Sequence, residues 1–329
     1  MALNNSVKDI KNIATSLNKE NNYKARKTAG SIAVSIVRLI FLIAFSYILL
    51  YPFAYMISHA FRAPANNFDP TIEWVPKYFS IEPFKVAFSC LEFGSSIWNT
   101  FLAEVISTGI SVISCGFAAY GMARYKFKGR NLMQFMLIIS ILLPASMIII
   151  PNYINYRNFD ILGVLNLIGN LIGKDIRINL LETVWAFWLP ALLGVGLKSG
   201  FLIYIYIQFY KGLPKELEEA AWVDGASPLK TYLRIVFPSS GVAITTVTVF
   251  SLIWNWNDYY SALMYWQANP TLAVKLSSFT NYAKQFDTRV ALADSTLAAC
   301  LLFVLPLLIF YMIMQKRFIA SIASTGIVG

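Results

Sequence analysis

Lys211 to Pro238 reads KGLPKELEEAAWVDGASPLKTYLRIVFP, a polar stretch set between two long apolar runs. Its punctuation predicts two short helices and a turn. Pro214 suits a first helical turn, Glu216, Glu218 and Glu219 gather near the positive N-terminal end, and Gly225 is a natural stop. Ser227 before Pro228 makes an N-cap and first-turn pair for a second helix, which Pro238 would close. Ala220 and Ala221 give this helix-turn-helix a flat patch of small residues that another protein can approach closely.

The flanking sequence places the loop at a membrane. Of 329 residues 57% are hydrophobic and 13% charged, and the mean hydropathy of +0.57 is too apolar for a water-soluble chain of this size. Six apolar stretches reach the roughly 20 residues, at about 1.5 Å each, that a hydrocarbon core requires. They run Ile32 to Ser58, Ser95 to Ala123, Leu132 to Tyr153, Leu181 to Tyr210, Val242 to Tyr265 and Leu292 to Met314. The fold class is therefore an all-α integral membrane protein with six transmembrane helices. Short alternating segments of a barrel are absent from the sequence. The first run follows a polar tail and is too long for a signal-peptide core, so it reads as a retained helix. The expected organisation is a tail over 1–31, a transmembrane domain over 32–314 that includes the 211–238 loop, and a C-terminal tail over 315–329.

Lys and Arg set the orientation. With both termini in the cytoplasm, the inside segments carry the N-terminal cluster that ends at Lys27, then Arg124, Lys126, Lys128 and Arg130, the lysines of the 211–238 loop, and Lys316 with Arg317. These hold most of the 27 basic residues, as the positive-inside rule expects. The net charge of +10 is thus topological, and no nucleic-acid partner is expected. Three scattered cysteines and the single His59 give neither a disulfide framework nor a metal site. No GxxxxGK[ST] phosphate loop is present in the sequence, so a nucleotide would have to bind elsewhere.

Glu219, Ala220, Ala221, then Gly225, Ile235 and Pro238 fall at the spacing Glu-Ala-Ala, three residues, Gly, nine residues, Ile-x-Leu-Pro, with Phe237 in place of Leu. This pattern resembles that of the binding-protein-dependent ABC importer permeases. AAYGMARYKFKGR (Ala118–Arg130), WNWNDYYSALMYWQANPTLAVKLSSF (Trp254–Phe279) and the terminal QKRFIASIASTGIVG (Gln315–Gly329) are similar to segments of the sugar branch, of the maltose-transporter MalG type. The resemblance implies a type I ABC importer permease fold in a bacterial or archaeal cell membrane. It implies that the loop, Asp224 included, docks on a cytoplasmic ATPase, and that the tail through Gln315, Thr325, Gly326 and Gly329 reaches between two ATPase subunits. ATP and Mg would be bound there, with no cofactor in this chain. It further implies a second, different permease and an external sugar-binding protein that faces the loop from Trp266 to Arg289. The departures are a longer polar N-terminal tail and a longer loop from Leu162 to Asn179, which is reminiscent of oligosaccharide permeases.

Substrate contacts are sought among intramembrane polar and aromatic groups, since sugars bind through hydrogen bonds and aromatic stacking. Trp254, Asn257 and Asp258 sit in the densest such cluster, with Asn152 and Tyr153 as further candidates. The same Trp and Tyr residues also fit an interfacial aromatic belt. On one continuous helix Trp254, Asp258 and Ser261 would share a face. Lys198 follows Pro190, Gly194 and Gly196. It marks either a broken helix beside the pathway or a bend at which the lysine snorkels or pairs with a carboxylate, and a kink near Pro190 is expected. A secondary transporter would require inverted repeats and coupled intramembrane charges, of which Arg38, Glu104 and Lys198 are the candidates. An intramembrane enzyme would require a nucleophile and base or a metal cluster.

Overall fold

The structure is a computed structural model that describes residues 2–63, 75–160, 163–173, 177–284 and 292–325, with only the backbone given for 2–29, 33, 145, 168–169 and 317–325. Residues 1–58 and 59–329 form two units. The first is the greater part of helix α1 (Ala2–Ala60). Its apolar portion is exposed, as a lipid-facing helix would be, and four-residue spacing stacks Phe41 on Phe45 and Tyr51 on Tyr55.

The second unit is entirely helical among the described residues apart from two isolated bridges. Short α2 (Glu82–Cys90) leads to long α3 (Phe93–Arg124). Then come α4 (Arg130–Leu142), α5 (Ala145–Arg157), α6 (Val164–Ile172), α7 (Trp185–Leu192) and α8 (Ser199–Gly212). The loop holds α9 (Glu216–Val223) and α10 (Pro228–Ser239), followed by α11 (Gly241–Trp256) and α12 (Tyr259–Tyr265). Two short helices, α13 (Leu272–Ser277) and α14 (Phe279–Ala283), precede α15 (Leu292–Thr325).

α3 is the hub, in contact with α7, α8 and α11. Its small residues Cys115, Gly116 and Ala119 face the large Leu202, Tyr206 and Tyr210 of α8, with Tyr232 of α10 closing the cluster. Close approach needs the glycine: a Cβ on Gly116 would lie 2.9 Å from the Tyr232 hydroxyl and 3.3 Å from Phe237. A second core joins α2, the end of α11 and α13 to α15. There His59 Nδ1 lies 3.1 Å from Asp294 Oδ1, which gives the lone histidine a carboxylate partner. A third core packs the start of α3 on α7 and α12.

Among the described residues three continuous helices have span length and apolarity, Gly30–Ala60, Phe93–Arg124 and Leu292–Lys316. The expected third span is instead two helices that bend by 109° at Pro144, whose extended backbone separates α4 from α5. The fifth follows a 77° bend between α10 and α11. The fourth is also divided, near Pro190 as expected, although the proline itself lies inside α7. The break follows Leu192, where Gly194 and Lys198 both adopt left-handed backbone. Glycine does so freely, whereas a lysine does so at a cost. Residues 162 and 174–176 of the long 162–179 loop lie outside the described residues, and α6 occupies most of the remainder.

Candidate functional site

The loop folds as two helices around a glycine turn. α9 starts at Glu216, so Pro214 precedes the helix instead of sitting in its first turn. Gly225 is left-handed, with φ +78°, and Ala226 N–H reaches back to the Ala221 carbonyl at 2.9 Å, a glycine-terminated helix end. Ser227 Oγ accepts from Lys230 N–H as the cap of α10. That helix ends at Ser239, one residue past Pro238. A π-helical turn over Tyr232–Val236 precedes it, and a wide turn absorbs a residue that lacks an N–H, so α10 continues to Ser239.

The rear of the loop is anchored by charge. Glu218 is 3% exposed, and its Oε1 lies 2.6 Å from Arg124 Nε at the end of α3, an ion contact without hydrogen-bond alignment. Tyr120 Oη donates to Glu218 Oε2 at 3.2 Å, and Arg124 Nη2 donates to the Leu213 carbonyl at 2.8 Å. Tyr232 is buried beneath, and that burial raises its hydroxyl pKa well above the ordinary tyrosine value. It therefore stays protonated. The front is open: Glu219, Ala220, Asp224 and Gly225 are exposed, and so are the apolar Leu217, Trp222, Val223 and Leu229, with Val223 at 87%. Ala221 turns inward and is buried, so the two alanines serve opposite faces.

Beyond the loop, α3, α4, α5, α7, α8, α11 and α12 enclose a cavity of about 580 Å³. Part of its polar lining comes from irregularities in the helices. In α3, a π-helical turn over Phe101–Val105 carries Glu104, and the carbonyls of that turn are taken up by neighbours. The Leu102 carbonyl accepts from Trp188 Nε1 at 2.7 Å, and the Glu104 carbonyl accepts from Asn255 Nδ2 at 3.4 Å. Asn255 also donates to Thr108 Oγ1 at 2.9 Å. Between α11 and α12, Asp258 accepts the Ser261 N–H as the α12 cap. At the opposite break Lys198 borders the cavity and makes no ion pair among the described residues.

Residues 113–324 match the family model of the binding-protein-dependent transport system inner membrane component. The chain belongs to that family. This inner membrane component is 30% identical over 282 residues to the melibiose/raffinose/stachyose import permease protein MelC of Bacillus subtilis, with 84% of this chain and 91% of MelC covered. It is 28% identical over 295 residues to protein LplC of the same organism, with coverage of 86% and 90%. Its fold matches a bacterial ABC transporter involved in import of the acidic polysaccharide alginate, with a TM-score of 0.67 and 21% identity over 86% of this chain and 96% of that one.

Within the inner membrane component the predicted site residues separate. Glu219, Ala220, Asp224 and Gly225 share one exposed surface, while Ile235 is half-buried and Pro238 exposed on α10. Asn152 and Asp258 line the cavity, whereas Trp254, Asn257 and Tyr153 lie outside its lining. Trp254 packs against Phe201 and Phe250, with ring centres 5.3 and 5.5 Å away. Asn257 is exposed and donates to the Ile253 carbonyl at 2.7 Å. The shared face expected for Trp254, Asp258 and Ser261 fails because the helix ends at Trp256 and restarts at Tyr259. Gln315 is half-buried on α15, which runs through the expected tail boundary to Thr325, and Gly326 and Gly329 lie outside the described residues. Sequence reasoning passed over Glu218 and Arg124 as site residues. No local feature of the sequence links the two, which lie 94 residues apart.

Proposed function

We propose that this chain is one of two membrane-spanning subunits of an ATP-driven importer of sugars, with oligosaccharides as the natural substrates. It crosses a bacterial or archaeal cell membrane six times, three spans being broken or bent, and keeps both termini in the cytoplasm. The 211–238 loop docks on one of two ATPase subunits, which bind ATP and Mg, and the C-terminal tail reaches between them. A second, homologous permease supplies the other wall of the pathway, and an external binding protein delivers the sugar to the segment after Trp266. The chain itself performs no chemistry.

One observation carries this reading. The loop with the Glu-Ala-Ala spacing presents an exposed front at Glu219, Ala220 and Val223, while its rear is tied to the hub helix by the buried Glu218 to Arg124 contact. A push on the front is therefore delivered to α3, which lines the cavity. Near-rigid movement of the helices then opens the cavity to alternate sides. The sugar reading is supported by MelC, whose substrates are named as saccharides, and by the hydrogen-bonding groups of Asn152, Asn255, Asp258 and Ser261 set among the apolar residues that line the cavity.

Gly225→Asp tests the coupling. Nothing lies within 4 Å of a Cβ there, so the variant strains only the left-handed turn and adds charge to the docking face. Sugar uptake in cells is expected to be abolished while the two permeases still co-purify. Unchanged uptake would count against the assignment.

A further inference from the structure

Lys198 suits neither its backbone nor the solvent expected at its depth. Its φ of +56° is left-handed, a conformation that glycine adopts freely and a lysine only at a cost. The break that holds it is well defined. Gly194 ends α7 with its N–H on the Ala191 carbonyl at 3.2 Å, and Val195 N–H reaches the Pro190 carbonyl at 2.9 Å. α8 then runs 14 residues toward the 211–238 loop, so Lys198 stands about 20 Å from the cytoplasmic end of a hydrocarbon core about 30 Å thick. A charge at that depth is costly unless it faces water or a partner. Glycine would relieve the backbone and an apolar side chain the solvation, so two penalties meet at one residue, as they do where a position serves function.

The cavity gives the charge a use. Leu193, Val195 and Lys198 are exposed and line it, so the break stands on its open side. Among the described residues Lys198 is the single cation of the lining, and it makes no ion pair. The two carboxyl groups of the lining are withdrawn: Glu104 is 3% exposed, and Asp258 accepts the Ser261 N–H as a helix cap. Asn152 and Tyr156, both half-buried on the same wall, offer an amide and an aromatic ring, groups that bind sugars. An uncharged sugar would satisfy those two and leave the ammonium without a counter-charge. A carboxylate on the sugar supplies it, through a charge-assisted hydrogen bond.

We propose that Lys198 binds a carboxylate of the transported sugar, so that the cavity takes acidic, uronate-bearing oligosaccharides in preference to their uncharged counterparts. This rests on the reading of the chain as a sugar permease. The test is direct binding, by saturation-transfer NMR titration, to the assembled permease and ATPase complex in phosphatidylcholine nanodiscs without its binding protein. Trigalacturonate and trimannuronate are the probes, each beside its methyl ester, which keeps the sugar and removes the charge. At least one acid should bind the wild type about tenfold or more tightly than its ester, the worth of a hydrogen bond between charged groups. Lys198→Gln should bring that acid down to the affinity of its ester and leave the ester within about threefold, whereas Lys198→Arg should keep the preference. Lys198→Gly should likewise lose it, on a backbone that glycine fits. A lysine that serves a lipid headgroup, a carboxylate of the partner permease or the helix start alone would leave the acid-to-ester ratio the same in wild type and Lys198→Gln. That result, equal binding of each acid and its ester to the wild type, or no binding of any probe overturns the inference. Uptake of labelled neutral and acidic sugars by cells carrying the complete transporter is measured alongside: uptake with a failed binding test removes only the role of Lys198, and no uptake of any sugar removes the sugar reading itself.

Discussion

Glu218 and Glu219 are adjacent and chemically identical, yet one faces the protein and the other faces outward. Helical geometry turns neighbouring side chains by about 100°, so the two cannot share a surface. Glu218 belongs to a buried ion contact, with both side chains at most 7% exposed. Removing one member of such a pair leaves the other charge stranded at a cost of about 3–5 kcal/mol, whereas apolar replacement of both is far less damaging. Glu218→Ala is therefore expected to lower the melting temperature of the purified complex sharply. Arg124→Met combined with Glu218→Leu should recover most of it, with uptake remaining impaired because the charge tie between loop and hub is gone. Melting curves and uptake on the same preparations check both halves. At this scale the spacing of Glu219, Gly225 and Pro238 was legible in the sequence. The inward role of Glu218 was not, because nothing local identifies Arg124, 94 residues earlier in the chain, as its partner.

Helices were legible as apolar runs, but their breaks were not all placed correctly. The third stretch turns sharply at Pro144, which was not anticipated, whereas the fourth divides at Gly194 to Lys198, close to Pro190 and as one reading of Lys198 had it. Proline marks a possible break; tertiary packing decides whether it is used, and glycines that accept left-handed backbone decide where. The same ambiguity separated the polar cluster around Trp254: continuous helical phase placed Trp254 with Asp258, and the turn at Asn257 undid it. Within the broken fourth stretch, α8 packs against α4 at Gly200, where a Cβ would collide with Ser140 Oγ. Gly200→Ala should loosen that contact by less than about 1 kcal/mol, because the obstructing atom is the tip of an exposed serine that can turn to another rotamer. Adding Ser140→Ala removes the obstructing hydroxyl and should restore stability, which thermal unfolding of the two variants would check.

At the scale of the whole molecule, the account divides labour between a docking surface and a cavity joined by one helix. α3 ends at Arg124 under the loop and carries Glu104 on the cavity wall, about 20 residues or roughly 30 Å away along a helix. Composition and apolar runs made the membrane class legible from the start, and the loop motif made the family legible. The cavity was not, because it is assembled from seven helices whose contacts are long-range. The central claim is that transport by this chain is powered through the loop by separate ATPases. Uptake of labelled sugar into proteoliposomes, with the chain present either alone or with its partner permease, ATPases and binding protein, tests it most directly. The account predicts uptake only in the complete system with ATP. Accumulation by the chain alone, driven by a proton or sodium gradient, would contradict it.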